Sequence, residues 1–440
     1  MDVWWIENNS ITLHSRKVSQ MTFFWNAMLI RRDKYLNELI GWKNTDLIKI
    51  VTGIRRCGKS FLLFTLFHQH LLDFGTDEDH IIEIALDDIS NEELREPFKM
   101  LAYVKNRMKD KDQYYLILDE VQLLDRFVDV LNSFMHISNL DVYVTGSNSR
   151  FLSKDVATEF RGRGIEIHIY PLSFSELYTT QGGDKNALWK LYYTYGGLPY
   201  LVMLNDNAKR AEYLTSLNQT LYLRDIVERN KITNIDEFSE LMNVMASGIG
   251  SPCNPNKIAN TFKTVKKSSL DNKTIANYLS YMEDAFIIER SVRYDIKGRK
   301  YIGSLSKYYF QDIGLRNALL NFRQVEETHI MENVIYNELR SRGYSVDVGF
   351  VVARTATERK QLEVDFVANK GDKRYYIQSA FALPDQEKRE QELASLKRIN
   401  DSFKKVIIMR DDIVPYHDEN GILIMGLMDF LLGTNIDEIL

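Results

Sequence analysis

The sequence has 440 residues, of which 45% are hydrophobic and 27% are charged, and it contains only 7 prolines. This composition excludes a disordered or fibrous protein, and the length predicts several domains. The 56 basic and 61 acidic residues give a net charge of −5, so any binding of nucleic acid must be local.

The cysteine content and the hydropathy pattern indicate a cytoplasmic protein. Two cysteines, Cys57 and Cys253, are too few for a disulfide framework in so long a chain and fit a reducing compartment. The first residues lack a basic stretch followed by a long apolar run, so we expect no secretory signal. No window approaches 18 uncharged apolar residues, which predicts no membrane span and no membrane partner.

Residues 31–229 are predicted to form an α/β domain, after an N-terminal extension at 1–30. Short apolar strands are predicted at 47–52, 81–86, 114–118, 142–145 and 165–170. The helices between several of them are predicted at 60–74, 91–109 and 122–136. Strands that alternate with helices indicate a parallel sheet with right-handed crossovers, and the region after 171 continues as a helical lid.

Two further domains are predicted, at 230–312 and 313–440. In the first, two helices are expected at 255–264 and 271–285, and Asp271 is expected to cap the second helix. A hairpin with a basic tip is expected next, with strands at 288–294 and 300–304. The last domain returns to a mixed pattern of strands and helices.

The segment from Gly53 to Ser60 matches the P-loop pattern, in which two glycines, a lysine and a serine have fixed spacing. The glycines allow backbone N–H groups to surround phosphate oxygens, and the following helix offers its positive end. Lys59 is expected to reach the β- and γ-phosphates, and Ser60 to ligate Mg²⁺. We therefore expect ATP and Mg²⁺ as ligands. The expected nucleotide contacts are Gly53, Ile54, Arg55, Arg56, Cys57, Gly58, Lys59, Ser60 and Phe61.

Two adjacent acids follow the strand predicted at 114–118. Asp119 is expected to hold Mg²⁺ through the water shell of the ion, and Glu120 to orient the attacking water. Taken alone, such a pair is more simply a solvated strand end. The P-loop upstream favours the catalytic interpretation.

The fourth predicted strand ends in a polar segment, 145–150. Ligands of open α/β sheets bind at the carboxyl ends of the strands, so Asn148 is the predicted γ-phosphate sensor, with Ser147 as the alternative. A turn-forming asparagine without ligand contact is the other interpretation. Further on, Arg161 or Arg163 is expected to place a guanidinium against the γ-phosphate, in cis or from a neighbouring copy, unless it is only surface charge.

Several short motifs carry a family resemblance, at 54–60, 118–122, 145–148, 162–163, 171–174, 222–229, 284–288 and 307–315. With these motifs the sequence resembles the prokaryotic AAA-like (archaeal-ATPase-like) P-loop ATPases that carry a C-terminal domain of unknown function. The resemblance runs from about residue 31 to the end. It implies an α/β fold with a P-loop ATPase sheet, a winged-helix domain and a C-terminal α/β domain similar to restriction endonucleases.

The predicted helices and basic hairpin of region 230–312 also describe a winged helix. A local basic patch is expected to contact the phosphates of duplex DNA. The alternative is a solvated basic face on a domain that only packs against protein. The residues of this patch are Lys263, Lys266, Lys267, Lys273, Lys297, Arg299 and Lys300.

The last domain has an incomplete set of nuclease residues. Glu363 and Asp365 alternate on one predicted strand and so share a face, and Glu332 lies on a predicted helix. A metal-dependent nuclease of this kind needs a second acid and a lysine two residues apart on the next strand, where Gln378 and Ala380 stand. We predict a degenerate, inactive site, unless Lys373, Lys388 or Lys397 supplies the missing amine.

The predicted function is Mg²⁺-dependent ATP hydrolysis coupled to the binding of DNA or protein. One alternative is a nucleotide-gated switch or scaffold with negligible turnover, which self-associates or binds a protein partner. Another is an ATP-dependent nuclease, which Gln378 and Ala380 disfavour.

Overall fold

The computed structural model describes residues 30–146, 162–266, 270–301, 305–354 and 359–433. These ranges contain a five-stranded sheet, an eight-stranded sheet and a two-stranded sheet, with helices around and between them. Among the helices in these ranges, none combines the length and the apolar character that a bilayer crossing requires.

The first sheet consists of β1 (Ile48–Thr52), β2 (Ile81–Ala85), β3 (Tyr114–Asp119), β4 (Leu140–Thr145) and β5 (Gly164–His168). All pairs are parallel, in the order β2-β3-β4-β1-β5. Every residue of β1, β3 and β4 is buried, which is the pattern of parallel strands covered on both faces. The predicted five-stranded parallel sheet is confirmed.

Helices cover both faces of this sheet. They are α1 (Asp33–Gly41), α2 (59–73), α3 (Pro97–Arg107) and α4 (Phe127–Phe134). The helix α2 is continuous through a π-helical stretch, Leu62–Phe67, and packs in the same core as Tyr115 and Ile117. The helices α3 and α4 pack in a second core with Leu116 and Leu118. Because side chains alternate along a strand, the two cores lie on opposite faces of the sheet.

Two helices begin later than predicted. The prediction at 91–109 divides into a 3₁₀ segment, Ile89–Arg95, and α3. The break is at Glu96, which is extended because a residue before proline avoids the helical conformation, and whose side chain then caps α3. The prediction at 122–136 likewise divides, since Arg126 has a φ of 50° and α4 starts after it.

The region after the first sheet is helical, as expected. Its helices are α5 (Phe174–Gln181), α6 (Lys185–Tyr195), α7 (Asn207–Ser216), α8 (Arg224–Asn230), α9 (Ile235–Ser247), α10 (Pro255–Lys266) and α11 (Asn272–Asp284). The π-helical segment Leu217–Leu223 joins α7 to α8. Asp271 caps α11 by accepting a hydrogen bond from the Thr274 N–H, as predicted.

Four short strands follow: β6 (Ile288–Ser291), β7 (Arg293–Asp295), β8 (Lys300–Tyr301) and β9 (Lys307–Phe310). The strands β6 and β9 pair antiparallel and form the two-stranded sheet. An isolated antiparallel bridge joins Cys253 to Ser306 beside β9. Side chains of this small sheet pack in the same hydrophobic core as those of α10 and α11.

The last part of the chain forms the second large sheet. Its remaining strands are β10 (Ser345–Arg354), β11 (Arg359–Lys370), β12 (Lys373–Ala380), β13 (Lys404–Met409), β14 (Tyr416–His417) and β15 (Leu423–Gly426). The strand order is β14-β15-β13-β12-β11-β10-β7-β8. The helices here are α12 (Ile313–Leu319), α13 (Glu327–Ser341), α14 (Gln386–Leu396) and α15 (Leu427–Leu432).

The predicted basic hairpin is present as the antiparallel pair of β7 and β8, but the first predicted strand, 288–294, divides into β6 and β7, and β6 pairs with β9 instead. Strand β7 pairs with β8 and also lies parallel to β10, so the basic tip is at an edge of the second large sheet. The chain leaves the two-stranded sheet after Ser291, and the Arg293 guanidinium lies 4.8 Å from the centre of the Phe350 ring. The predicted boundary at 312 stays a prediction, although β7 and β8 precede it.

Candidate functional site

The P-loop lies at the carboxyl end of β1 and leads directly into α2. Gly53 has a φ of 140° and Gly58 a φ of 101°, conformations that glycine adopts without strain. A Cβ on Gly53 would lie 2.2 Å from the carbonyl oxygen of Ile169, so the fold has no room for a side chain there. The predicted order of strand, glycine loop and helix is present.

The side chain of Lys59 is folded into the P-loop. It is only 5% exposed, and its ammonium group donates hydrogen bonds to the carbonyl oxygens of Gly53 at 2.9 Å and Ile54 at 3.2 Å. The loop thus concentrates one positive charge beside the N-terminus of α2. Both features attract phosphate oxygens.

Asp119 and Ser60 come from two separate motifs and meet at one point. The Asp119 carboxylate accepts a hydrogen bond from the Thr145 hydroxyl and interacts with the Ser60 hydroxyl. Burial raises the pKa of Asp119, and the hydrogen bonds from the two hydroxyl groups oppose that shift. A hydroxyl and a carboxylate are oxygen ligands of the kind that Mg²⁺ prefers.

Glu120 follows β3 with a left-handed backbone, at a φ of 50°. Two contacts hold this uncommon conformation: the Glu120 N–H donates to the Thr145 hydroxyl at 3.0 Å, and the Gln122 amide donates to the Glu120 carboxylate. The turn places Glu120 in the wall of the same cavity as Lys59 and Ser60. Its carboxylate is therefore positioned beside the P-loop.

The cavity over the P-loop has a volume of about 550 Å³, which is within the range of small-molecule sites. One part of its wall is polar and charged, formed by the P-loop, Asp87, Asp119 and Glu120. The other part is apolar and aromatic, where the Tyr200 and Tyr213 rings lie 4.8 Å apart. The apolar wall consists of Ile30, Phe61, Leu123, Pro199, Tyr200 and Tyr213.

Helical segments near the end of the predicted lid hold the P-loop from outside. The Tyr222 hydroxyl donates to the carbonyl oxygen of Arg55 at 2.8 Å, and the Arg55 guanidinium lies 3.5 Å from the Asp225 carboxylate. Both Tyr222 and Asp225 belong to the motif at 222–229. Arg55 therefore pairs with an adjacent helix.

Arg32 is a buried contact of the P-loop that sequence reasoning missed. Its guanidinium donates to the carbonyl oxygens of Tyr170 at 2.6 Å and Cys57 at 3.4 Å, and lies 3.1 Å from Glu176. No sequence pattern marks it. Thr145 was quoted within a motif but not chosen as a site residue, although it contacts both Asp119 and Glu120.

These residues fit a nucleotide triphosphate with Mg²⁺. Gly58 lines the cavity and exposes backbone to phosphates, Lys59 supplies a cation, and Ser60 with Asp119 supplies oxygen ligands, whereas Gly53 and Ile54 are not in the cavity wall. The apolar wall offers a surface against which a flat base can stack.

Asn148 and Arg163 are the other two predicted catalytic residues. Asn148, with its alternative Ser147 and with Arg161, lies outside the described residues. The Arg163 carbonyl oxygen accepts a hydrogen bond from the Ile48 N–H, so Arg163 stands at the amino end of β1 and β5. The P-loop is at the other end of β1, roughly 16 Å away for a five-residue strand. A role in cis for Arg163 is therefore wrong; a role toward a neighbouring copy stays a prediction.

The predicted DNA-contacting residues divide between two places. Lys263 and Lys273 are exposed on α10 and α11, whereas Lys297 and Arg299 are exposed in the turn between β7 and β8. Lys267 lies outside the described residues, and the side chains of Lys266 and Lys300 are not among those described.

The predicted degenerate nuclease residues do come together. Glu332 on α13 and Glu363 and Asp365 on β11 surround one point, and the Gln378 side-chain oxygen accepts from the Asp365 N–H at 3.4 Å. At that point lies the ammonium group of Lys307 from β9, which sequence reasoning missed. The signal in the sequence was a lysine directly before three aromatic residues, Tyr308–Phe310, and the structure buries all four residues.

Two of the three lysines proposed as replacements, Lys388 and Lys397, pair with acids outside this cluster. Lys388 lies 2.6 Å from Glu392, which in turn accepts a hydrogen bond from the Gln378 amide. Lys397 pairs with Glu390 on the outer side of α14. Ala380 is buried among apolar side chains, so the usual lysine position faces a core.

Comparison with known proteins agrees with the site. The model of a family described as an AAA domain matches residues 45–178, and that of a domain of unknown function matches residues 186–326. The chain is 31% identical to an uncharacterised protein of Haemophilus influenzae over 413 residues, which are 92% of this chain and 99% of that one. It is 30% identical to an uncharacterised protein of Methanocaldococcus jannaschii over 416 residues, 90% of this chain and 88% of that one.

Solved structures show only a distant likeness. The structure of the Aeropyrum pernix ORC1 protein in complex with DNA is similar over 66% of this chain and 92% of that one, at 14% identity and a TM-score of 0.26. So low a score supports no inference about function. The motifs, the parallel sheet, the AAA-domain match and the two full-length relatives agree, and the chain therefore belongs to the P-loop AAA-like ATPases.

Proposed function

We propose that the protein binds Mg-ATP in the cavity over the P-loop and hydrolyses it. The observation that carries this proposal is the meeting of two independent motifs: Lys59 and Ser60 of the P-loop line one cavity together with Asp119 and Glu120 from the end of β3. A P-loop pattern that arose by chance would not be expected to lie beside a pair of acids at the end of another strand.

Each side chain has a distinct role in this proposal. Lys59 and the backbone N–H groups of the loop bind the phosphates, and the aromatic wall at Tyr200 and Tyr213 holds the base. Ser60 and Asp119 would hold Mg²⁺, which neutralises charge that develops on the phosphates. Glu120, fixed by Thr145 and Gln122, orients the attacking water.

The binding step is tested with Lys59→Ala, and Lys99→Ala is the matched control. Lys99 is an exposed lysine that pairs with Glu93 on the surface. We expect Mg-ATP to raise the Tm of the parent and of Lys99→Ala but not of Lys59→Ala, because ligand binding stabilises only the competent site. An equal Tm rise in all three proteins would contradict the proposed site.

Turnover separates an ATPase from a nucleotide-gated switch. Steady-state phosphate release is measured for the parent with and without duplex DNA. We expect a rate that Lys59→Ala abolishes. A parent that binds Mg-ATP but releases no phosphate under either condition would establish the switch instead.

We also propose that α9, α10 and α11 with β6 and β9 form a winged helix that binds duplex DNA. What supports this is a local charge bias: residues 255–270 contain four lysines and no acidic residue, in a chain of net charge −5. Lys263 and Lys273 are exposed there. A lysine-rich helical surface without acids favours phosphate contacts.

The DNA proposal is tested by fluorescence anisotropy with labelled duplex at several salt concentrations. The double variant Lys263→Ala/Lys273→Ala should bind more weakly and have a log K against log salt slope shallower by about 2, at roughly 0.9 per phosphate contact. Lys99→Ala should retain the parent slope. If the parent does not bind at low salt, with or without nucleotide, the helices serve protein packing.

A further inference from the structure

A lysine from outside the second large sheet lies at the centre of the carboxylate cluster on that sheet. The Lys307 ammonium is 2.7 Å from Glu363, 2.9 Å from Glu332 and 3.9 Å from Asp365. Lys307 is 4% exposed and belongs to β9, which pairs with β6 and not with β11. The cation therefore comes from the two-stranded sheet, whereas the carboxylates come from α13 and from β11 of the second large sheet.

The carboxylates are arranged to face this one point. Tyr309, also on β9, donates to Glu332 at 2.7 Å, and the Ser379 N–H donates to Asp365 at 2.8 Å. The Glu332 Oε1 atom that accepts from Tyr309 also accepts from the Lys307 ammonium, whereas Ser379 binds Oδ2 of Asp365 and leaves Oδ1 on the side of Lys307. Asp365 is buried and Glu332 and Glu363 are partly exposed, and three carboxylates around one position are the usual oxygen set of a divalent cation.

The charges in the cluster favour a positively charged Lys307. Burial alone would lower the pKa of Lys307, but Glu332, Asp365 and Glu363 together raise it, so the ammonium stays charged. Burial raises the pKa of Asp365 to about 8, with Glu332 adding to the shift and Lys307 opposing it. Three acids face one monovalent cation, and a proton on Asp365 reduces the excess negative charge.

We propose that Lys307 is a built-in cation that occupies the metal position of the C-terminal carboxylate cluster. The cluster then anchors the β6–β9 sheet to the second large sheet and does not bind a divalent ion. Removal of the Lys307 ammonium converts the cluster into a divalent-cation site. This goes beyond the ATP site and does not depend on it.

The geometry also separates this lysine from a catalytic amine. An amine that stabilises a phosphate must face the substrate, whereas the Lys307 ammonium is buried and bonded to carboxylates. The cluster lacks a further acid on β12, where Gln378 contacts Glu392 instead. A structural role for the cluster follows from both facts.

The test measures Mn²⁺ binding to full-length, nucleotide-free protein by electron paramagnetic resonance of free Mn²⁺. We compare the parent with Lys307→Met, in which the side chain has a similar length but carries no charge. Lys99→Met is the control for loss of a lysine elsewhere. We expect Lys307→Met to gain one Mn²⁺ per chain, at least ten-fold tighter than any Mn²⁺ binding in the parent, and to lose it again in Lys307→Met/Glu363→Gln.

Two results would overturn the proposal. One is a folded Lys307→Met variant that binds Mn²⁺ no better than the parent. The other is a parent whose own Mn²⁺ site disappears in Glu363→Gln, since the cluster would then be a metal centre despite Lys307. If Lys307→Met does not fold, the second comparison decides alone: equal Mn²⁺ binding by the parent and Glu363→Gln supports the built-in cation.

Discussion

Gly53→Ala tests whether the P-loop geometry depends on the segment after β5. The new Cβ would lie 2.2 Å from the Ile169 carbonyl oxygen and 3.0 Å from the Cys57 sulfur. The Ile169 N–H is itself bonded to the Thr52 carbonyl oxygen at 2.9 Å, so this segment cannot move away without loss of a hydrogen bond. The loop must therefore distort.

The magnitude follows from two contributions. A positive φ for a residue with a Cβ costs about 1–2 kcal/mol. Overpacking of a dense interior costs about 1–3 kcal/mol more. The sum of about 2–5 kcal/mol corresponds to a Tm lower by roughly 5–10 °C. Because the distortion is within the P-loop, nucleotide affinity should fall by more than about tenfold as well.

Gly75→Ala is the matched control. Gly75 also has a positive φ, of 87°, but a Cβ there would have nothing within 4 Å. This variant should show only the backbone strain, with a Tm loss of a few degrees and unchanged nucleotide affinity. Both variants are measured by thermal unfolding and by titration with a fluorescent ATP analogue. If Gly53→Ala matches Gly75→Ala in Tm and affinity, the contact with Ile169 does not constrain the loop.

Two further predictions concern hydroxyl and carboxyl groups. Thr145→Val keeps the side-chain shape but removes the hydroxyl that contacts Asp119 and Glu120. The rate of phosphate release should therefore fall by about tenfold or more, while Mg-ATP should still raise the Tm. An unchanged rate would show that Thr145 has no role in the site. Asp365 has its pKa raised from 3.8 to about 8, so between these values the folded protein holds a proton that the unfolded chain has lost. The stability that Asp365 contributes therefore falls as the pH rises from 4 to 8. Over that range the Tm of Asp365→Asn should fall less than the Tm of the parent. Parallel curves of Tm against pH for the two proteins would contradict a buried, protonated Asp365.

The sequence predicted the parts of the fold that depend on local pattern. The buried strands β1, β3 and β4 are mostly apolar, with Lys49, Asp119 and Asp141 as charged exceptions, and the P-loop has fixed spacing, so both were identified from the chain alone. The Asp271 cap was likewise predicted because capping involves residues three apart.

What the sequence did not predict depends on contacts between distant residues. The pairing of β7 with β10 joins residues about 55 positions apart, and nothing local distinguishes it from a simple hairpin. Lys307 meets Glu363 across a similar separation, and Arg32 meets Tyr170 across 138 positions. Arg163 was predicted to lie near the phosphates because its motif follows the sensor segment. It directly precedes β5, however, and because β5 is parallel to β1, it lies at the end of β1 opposite the P-loop.

The rate of phosphate release by Glu120→Gln tests the central claim most directly. Glu120 is held by Thr145 and Gln122 in the cavity that also contains Lys59, so its amide variant should bind Mg-ATP like the parent. Without a carboxylate to orient water, turnover should fall by roughly 10²–10⁴-fold. Glu93→Gln, an exposed acid, is the control and should keep the parent rate. A Glu120→Gln variant that binds Mg-ATP and hydrolyses it at the parent rate would contradict the catalytic role assigned to this site.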